Sequence, residues 1–206
     1  MKTVILIGDS LRLCYQSRVA ELLGGGVRVL APEENCRFTK YALWGMRMWM
    51  AGWGDPKPDV IHWNTGVWDL HRCTADGEVF TPLPEYLEHN RRLAAQMESY
   101  CKDLIWATTT PGGRQLDEQK KTNYVMTAAG PQLFLCDGTD EWNADIRRYN
   151  EACTEMLSAR GIKINDLYSV IAADPDRYLS DDGIHPSADG TEALARKVAS
   201  EIKKLL

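Results

Sequence analysis

The sequence predicts an α/β protein built on one doubly wound parallel sheet. Short runs rich in aliphatic and β-branched residues recur at 4–7, 27–30, 59–64, 104–108 and 162–165, which is typical of buried strands. Segments with helical spacing of apolar residues separate these runs, and glycine or proline stands at most of the junctions. Regular alternation of strands and helices indicates a parallel sheet with helices on both faces, and we expect the strand order 2-1-3-4-5.

The segments between the strands supply the helices. We predict them at about 11–23, 40–53, 84–100, 143–160, 167–173 and 187–206. Residues 73–82 are predicted to form a polar hairpin or loop, because Asp76-Gly77 is a turn sequence. The irregular stretch 114–139 is predicted to be a binding loop or lid that shapes the substrate pocket. The sequence shows no repeat or linker, so residues 1–206 are expected to form a single domain.

The second predicted helix is rich in large apolar side chains. Its tryptophans and methionines are Trp44, Met46, Met48, Trp49, Met50 and Trp53. Such a stripe most often packs into a core, and it can also form a surface for an acyl chain or a sugar ring. The pattern favours the core role and leaves the binding surface as the alternative.

Composition argues against several classes of function. The formal net charge is −5 and no basic stripe is present, so we expect no nucleic-acid partner. No apolar run is long enough to span a bilayer, and residues 1–3 lead into the first strand without a leader, so we expect no membrane association and a cytoplasmic location. The six cysteines include no Cys-x-x-Cys pair and the four histidines lack ligand spacing. A reduced compartment is therefore favoured, and no metal site is predicted.

A candidate nucleophile follows the first strand. Gly8 ends this strand, and Asp9 and Ser10 stand where the chain turns into a helix. In an open α/β sheet, ligands bind outside the carboxyl ends of the strands. A serine hydroxyl at this place can be a nucleophile when a base reaches it, although the same residues also suit an ordinary turn and helix N-cap.

A candidate base lies near the other end of the chain, at His185. Histidine titrates near neutrality, so it can take a proton from a hydroxyl and return it to a leaving group. Asp182 precedes His185 by three positions, across Gly183, and can orient the imidazole through its other nitrogen. Ser10, His185 and Asp182 thus have the residue types of a hydrolase triad. A turn followed by a helix cap is the alternative for each stretch alone, and their joint presence favours catalysis.

These two stretches give the chain its resemblance to a known family. The chain resembles the SGNH (GDSL-type) hydrolases, with Gly8-Asp9-Ser10 matching the nucleophile block and Asp182-x-x-His185 matching the block of the base. The resemblance spans essentially the whole chain and is strongest to bacterial carbohydrate-esterase-like members. It implies a flavodoxin-like three-layer α/β/α fold with a five-stranded parallel sheet. It also implies ester hydrolysis through an acyl-serine, without a cofactor.

The same resemblance predicts an oxyanion hole that departs from the family pattern. The backbone N–H of Ser10 is one expected donor, and Cys36 stands in the place of the glycine whose N–H is a second. Trp68 occupies the place of the family's asparagine, so the nearest amide, Asn64, is the predicted side-chain donor and Trp68 is the alternative. A nucleophilic role for the Cys36 thiol is disfavoured, since among its neighbours in the sequence only Arg37 would favour a thiolate.

The substrate site is expected to lie among the same residues. Asp9, Gly66 and Trp68 are the predicted substrate-binding positions. The expected substrate is a small-molecule or oligosaccharide ester, and we favour an O-acetyl ester on a carbohydrate. Two alternatives are a short-chain acyl esterase or thioesterase, and a non-catalytic carbohydrate-binding relative with the same fold. The sequence does not indicate an oligomeric state.

Overall fold

The structure is a computed structural model that describes residues 1–72, 76–119, 125–127, 130–132 and 138–206. Its elements in chain order are β1 (Lys2–Ile7), α1 (Ser10–Leu23), β2 (Val27–Leu30), α2 (Thr39–Gly52), β3 (Val60–Asn64), α3 (Leu83–Glu98), β4 (Asp103–Ala107), α4 (Gln115–Gln119), β5 (Val125–Thr127), β6 (Gly130–Gln132), α5 (Thr139–Ser158), β7 (Lys163–Asn165), α6 (Tyr168–Ala172), α7 (Pro175–Tyr178) and α8 (Ala188–Lys203).

The central sheet has five strands in the order β2-β1-β3-β4-β7, and every neighbouring pair is parallel. Counted within this sheet alone, that is the predicted order 2-1-3-4-5, so the prediction is confirmed. β5 and β6 form a separate antiparallel pair inside the stretch 114–139. Parts of this stretch, including the apolar run 133–135, lie outside the described residues, so the lid stays a prediction.

Helices form a layer on each face of the sheet. α1 packs against α8, whereas α2 packs against α3 and α3 packs against α5. The centre of the sheet between them is buried: residues 4–7 of β1 are 0% exposed, and all of β3 is buried. None of the described helices combines the length and the apolar composition needed to cross a bilayer. The predicted three-layer arrangement is therefore observed.

The two proposed roles of the Trp/Met-rich helix apply to different faces of α2. Met46 and Met50 are 0% exposed and Trp49 is nearly buried, so these side chains form part of the core. Trp44 and Met48 point away from the core and are 60% and 54% exposed. The core prediction is therefore right for one face, and the other face remains available to a ligand or partner.

A buried cation, Arg12, joins the turn after β1 to the loop after β2. Its side chain is 0% exposed, and its guanidinium donates to the carbonyl oxygens of Gly8 at 3.2 Å, Pro32 at 2.7 Å and Glu34 at 2.6 Å. It also donates to the side chain of Gln16. One planar fork of five N–H donors can satisfy several carbonyls at once. Arg12 therefore fixes the two loops relative to each other, which nothing in its sequence position predicted.

We predict that Arg12→Met lowers the free energy of unfolding by about 3 kcal/mol, because the substitution keeps much of the side-chain volume and leaves buried carbonyls without donors. Urea denaturation followed by circular dichroism measures the change. The matched control is Arg28→Met at an exposed position of β2, which should change stability by less than about 0.5 kcal/mol. Equal stabilities of the two variants would contradict the role of Arg12.

Candidate active site

Ser10 lies at the junction of β1 and α1. β1 ends at Ile7, Asp9 caps the helix by accepting a hydrogen bond from the Leu11 N–H at 3.0 Å, and Ser10 is the first helical residue. Gly8 is required here by close packing, because a Cβ at this position would lie 2.2 Å from Oδ1 of Asn64. The hydroxyl of Ser10 is therefore held at the carboxyl end of β1 and at a helix N-terminus, where unpaired N–H groups favour negative charge.

His185 and Asp182 lie in a tight loop before α8. The loop is closed by a bridge between Leu179 and Pro186 and by the hydrogen bond from Ser180 N–H to the His185 carbonyl at 2.8 Å. Gly183 has a φ of 71°, a left-handed conformation that suits glycine. Its carbonyl accepts from the Gly113 N–H at 2.8 Å, so the loop is also held to the segment after β4.

The structure brings the three predicted triad residues into one hydrogen-bonded chain. The His185 Nε2 lies 2.8 Å from the Ser10 Oγ, and the His185 Nδ1 lies 2.6 Å from the Asp182 Oδ2. These distances are those of a nucleophile bonded to a base and a base bonded to a carboxylate. The side chains of His185 and Asp182 are 40% and 46% exposed, so a substrate can reach the site from solvent.

Asp182 is organised to stay ionised. Partial burial alone would raise its pKa, but hydrogen bonds from the Ile184 N–H, the imidazole and N–H of His185 and the Ser180 hydroxyl outweigh burial and lower the pKa below its usual value. The backbone bonds to Oδ1 are both 2.8 Å long. A carboxylate that stays ionised at this position fixes the orientation of the His185 ring through the hydrogen bond to Nδ1.

Asp9 and Asn64 lie beneath the nucleophile instead of lining an open site. The Asn64 side chain donates from Nδ2 to the Asp9 Oδ1 at 2.9 Å and accepts at Oδ1 from the Tyr15 hydroxyl at 2.9 Å. Asp9 is 0% exposed and Asn64 is 2% exposed. The assignment of Asp9 as a substrate-binding residue is therefore wrong, because substrate cannot touch it. The structure gives Asn64 a positioning contact with Asp9 in place of the predicted role at the oxyanion.

Cys36 also departs from its predicted role. Its backbone N–H donates to the Gly8 carbonyl at 3.1 Å, so the donor assigned to the oxyanion already has an acceptor within the protein. The side chain is 1% exposed, and burial raises the pKa of its thiol. A buried thiol of raised pKa is a poor nucleophile, which agrees with the sequence interpretation. The contact with Gly8 makes Cys36 a support of the turn that carries Ser10.

Gly66 is needed for the backbone conformation after β3. Its φ is +133°, and a Cβ on it would lie 2.1 Å from the Thr109 Oγ1. The Thr109 hydroxyl in turn donates to the Thr65 carbonyl at 2.7 Å. Gly66 is buried, so the prediction that it binds substrate is not supported. It allows the chain to turn sharply after β3 and pass under the loop that follows β4.

Trp68 belongs to a stack of rings that includes a residue missed in the sequence. The His71 ring lies 5.6 Å from the Trp68 ring and 5.6 Å from the Trp142 ring. Burial, with a smaller electrostatic contribution from His185, lowers the pKa of His71 to about 4, and this contribution indicates that the stack lies beside the base. His71 is three residues beyond Trp68, but no motif singled it out. Trp142, in the first turn of α5, is distant in sequence and gave no pattern either.

Among the described residues, no group of three or more histidine, cysteine, aspartate or glutamate side chains is arranged to hold a metal ion. The four cysteines whose state is defined, Cys14, Cys36, Cys101 and Cys153, are free thiols. Cys73 and Cys136 lie outside the described residues.

Asp9 should make stability depend on pH. Burial and then the negative charge of Asp69 raise the pKa of Asp9 from 3.8 to about 6 in the folded protein, against the hydrogen bonds from Leu11 and Asn64. The folded state therefore binds this proton more tightly than the unfolded state. The resulting stabilisation is complete below about pH 4 and is lost as the pH rises through about 6.

We predict that Asp9→Asn, which keeps an oxygen to accept from Leu11 and Asn64, is more stable than the wild type at pH 8 by up to about 3 kcal/mol. The difference should shrink towards zero near pH 4, where the wild-type carboxyl is neutral. Urea denaturation at the two pH values measures it. Asp103→Asn, at the half-buried first position of β4, controls for the general effect of removing a charge. A variant that is less stable than wild type at pH 8 would contradict the assignment.

Comparison with known proteins agrees with the motifs and the fold. The family model described as the GDSL-like lipase/acylhydrolase family matches residues 7–193. An acetylxylan esterase from Xylanibacter ruminicola is 26% identical over 155 residues, which are 71% of this chain and 29% of that protein. The chain thus spans less than a third of the length of this relative.

Solved structures share the fold along nearly the entire chain. A lipase/acylhydrolase from Enterococcus faecalis has a TM-score of 0.74 at 18% identity and is matched over 99% of this chain and 96% of its own. An acetylxylan esterase from Geobacillus stearothermophilus has a TM-score of 0.72 at 18% identity, over 98% and 94% of the two chains. With the family model covering most of the sequence, the resemblance inferred from the two terminal motifs is confirmed: this chain belongs to the GDSL-like lipase/acylhydrolase family.

Proposed function

We propose that the protein hydrolyses carboxylic esters through an acyl-serine intermediate, and that O-acetyl groups on a carbohydrate are its substrates. The observation that carries the proposal is the chain of hydrogen bonds Ser10–His185–Asp182, with distances of 2.8 and 2.6 Å. Membership of a lipase/acylhydrolase family supports ester hydrolysis. The matched relative named as an acetylxylan esterase supports the acetyl group and the carbohydrate.

The proposed reaction has two halves that use the same three side chains. His185 Nε2 takes the hydroxyl proton as the Ser10 Oγ attacks the ester carbonyl, and a tetrahedral intermediate forms. The imidazolium then protonates the leaving alcohol, the C–O bond breaks, and the acyl group remains on Ser10. A water molecule attacks this acyl-serine while His185 takes its proton, and His185 returns that proton to the Ser10 Oγ as the acid leaves. Asp182 orients the ring and stabilises its charged form throughout.

The oxyanion requires N–H donors that are not already hydrogen-bonded to another group of the protein. The Ser10 N–H is the first N–H of α1 and has no partner within the helix, which makes it the first donor. Cys36 and Asn64 bind other protein groups, as described above. Trp68 stands in the family's asparagine position, is only partly buried, and its indole N–H has no hydrogen-bond acceptor within the described part of the chain. We therefore assign the second donor to the Trp68 Nε1.

Labelling with a fluorophosphonate probe tests the triad. We expect the wild type to react at Ser10 and to hydrolyse p-nitrophenyl acetate, and Ser10→Ala to lose both properties while remaining folded. His185→Ala should lower turnover by at least about 10³-fold, because the nucleophile then lacks its base. The control is Ser17→Ala, a change of the same kind at an exposed position of α1. Activity of Ser10→Ala close to that of wild type would refute the assignment, and absence of labelling in a folded wild type would favour a non-catalytic relative.

A panel of substrates tests the acyl group and the carrier. We expect p-nitrophenyl acetate to be cleaved with a higher kcat/KM than the butyrate and octanoate esters, and acetylated xylo-oligosaccharides to release acetate. A preference for esters with longer acyl chains would contradict the acetyl ester as substrate. A preference for acetyl thioesters over acetylated sugars would favour a thioesterase instead.

Replacement of Trp68 by phenylalanine tests the indole donor, since it keeps an aromatic ring and removes the N–H. We predict that Trp68→Phe lowers kcat by about 10²-fold with little change in KM, as expected for a donor that acts in the transition state. Trp53→Phe makes the same chemical change at the far end of α2 and should leave kcat unaltered. If Trp68→Phe raises KM and spares kcat, the tryptophan packs against substrate and the donor lies elsewhere.

A further inference from the structure

Large exposed apolar side chains gather on one side of the protein. Apart from Met1, those of the described residues are Trp44, Met48 and Phe80, which are 60%, 54% and 41% exposed. Trp44 and Met48 are four residues apart on α2, so they share one face of that helix. Contiguous exposed apolar side chains are candidates for a binding surface, whereas single ones are common.

Ring contacts join Phe80 to this face. The Phe80 and Phe38 rings are 4.9 Å apart, Phe38 and Tyr41 are 6.2 Å apart, and Tyr41 and Trp44 are 5.5 Å apart. We refer to these four residues as the aromatic strip. The strip runs from the segment before α3 to the outer face of α2.

The centre of the strip is held in place before any ligand binds. The Tyr41 hydroxyl donates to the carboxylate of Glu34, whose other oxygen accepts from the Trp49 indole N–H at 2.9 Å. The Arg37 guanidinium lies 4.9 Å from the centre of the Tyr41 ring. A preorganised aromatic surface loses little conformational entropy when a ligand packs on it.

One end of the strip adjoins the candidate active site. The Phe80 N–H donates to the His71 carbonyl at 2.8 Å, and the His71 ring belongs to the stack beside His185. Phe38 follows Cys36 by two residues, and the Cys36 N–H is bonded to Gly8 next to the nucleophile. We therefore expect a polymeric ligand bound at Ser10 to reach the strip.

The other end opens onto a cationic groove between α2 and α3. The groove has a volume of about 550 Å³ and is lined by Lys40, Leu43, Trp44, His89, Arg92 and Gln96. Neither Lys40 nor Arg92 forms an ion pair within the parts of the chain that the structure describes. Glu88 interacts electrostatically with Arg92 without forming an ion pair with it, and Glu85 and Glu88 also act on His89. Two cations that lack an ion pair, beside an exposed tryptophan, still stand out in a chain whose formal net charge is −5. They are complementary to an anionic group carried by the same ligand that packs on the ring.

We propose that the aromatic strip and the groove bind the backbone of a polymeric acetylated glycan that carries carboxylate substituents, while one of its acetyl groups lies at Ser10. The proposal rests on the proposed ester hydrolysis and narrows its substrate to an acidic polysaccharide. The C–H faces of sugar rings pack on aromatic rings, and carboxylates form charge-assisted hydrogen bonds with lysine and arginine. The aromatic rings and Arg92 also suit a protein interface, whereas Lys40 does not, because the cores of protein interfaces are depleted in lysine; Lys40 therefore favours the carboxylated glycan.

Binding to the polymer is measured in the Ser10→Ala background, where no turnover occurs. The probes are an acetylated xylan substituted with glucuronic acid and an acetylated xylan without it, compared by affinity electrophoresis. We expect Trp44→Ala to weaken binding of both polymers by about tenfold, the loss typical of one central aromatic contact. The double variant Lys40→Gln/Arg92→Gln should weaken binding of the acidic polymer alone, by about tenfold at low salt and less at high salt.

Matched controls separate the surface from general effects of charge. Lys57→Gln/Lys102→Gln removes the same charge from the loops that precede β3 and β4, at the amino ends of these strands, and should bind both polymers as the parent does. With Ser10 intact, all of these variants should hydrolyse p-nitrophenyl acetate with the kcat/KM of wild type, because this small ester does not reach the strip.

Several results would overturn the proposal. Unchanged binding of both polymers by Trp44→Ala would show that the strip is not a glycan surface. Unchanged binding of the acidic polymer by Lys40→Gln/Arg92→Gln would show that these two side chains do not recognise carboxylate substituents. A dimer in sedimentation velocity that Trp44→Ala converts to a monomer would make the patch a contact between two copies of the chain. Failure of the proposed function is distinguishable, since it would appear as absent fluorophosphonate labelling and absent p-nitrophenyl acetate hydrolysis, whatever the polymer binding.

Discussion

The geometry of the site depends on the carbonyl of Gly8 and the donors that converge on it. Arg12 reaches this oxygen from α1, and the Cys36 N–H reaches it from the loop after β2. The same guanidinium bonds the carbonyls of Pro32 and Glu34, so one buried cation joins both loops. Carbonyl oxygens accept from it directly, whereas Asp9 and Glu34 interact with its charge over a longer range, and no carboxylate of the described residues lies within ion-pair distance of it. A buried charge that is fully hydrogen-bonded in this way resists displacement, and it holds the turn that carries Ser10 in one conformation.

The two halves of the triad meet because two helices pack side by side. Ser10 begins α1 and His185 lies just before α8, so the contact of α1 with α8 sets their separation, although they are far apart in the sequence. Each helix has its own cap, Asp9 for α1 and Ser187 for α8. About two turns below the triad, Arg18 and Glu192 form an ion pair at 2.7 Å that joins the same helices. Helix packing, and not loop conformation alone, therefore fixes the distance between nucleophile and base.

Sequence patterns predicted the fold, the strand order and the three residues of the hydrogen-bonded triad, because each depends on local pattern or on a motif. The residues that hold the triad in place were harder to predict. Asn64 was chosen because it is the amide nearest the position of the family's asparagine. Side chains alternate in direction along a strand, however, and the Asn64 side chain lies under Gly8, where it contacts Asp9 and Tyr15. Cys36 was placed in the right loop, and its N–H was satisfied by a carbonyl from another element. Arg12 and His71 match no motif, and the contacts that define their roles, of Arg12 with Pro32 and Glu34 and of His71 with Trp142, join residues that are distant in the sequence.

The residues beneath Ser10 are buried, whereas the other two residues of the triad are partly exposed. Asp9 and Asn64 are almost inaccessible, whereas His185 and Asp182 are close to half exposed. Burial of Asp9 opposes stability near neutral pH, because its pKa is raised to about 6 and its Oδ2 lacks a partner within the described residues. The fold tolerates this since Asp9 Oδ1 simultaneously caps α1 and receives the Asn64 amide. An unfavourable charge beneath the nucleophile is thus retained where it fixes the position of Ser10, and the residues that change protonation during the proposed reaction are left in contact with solvent.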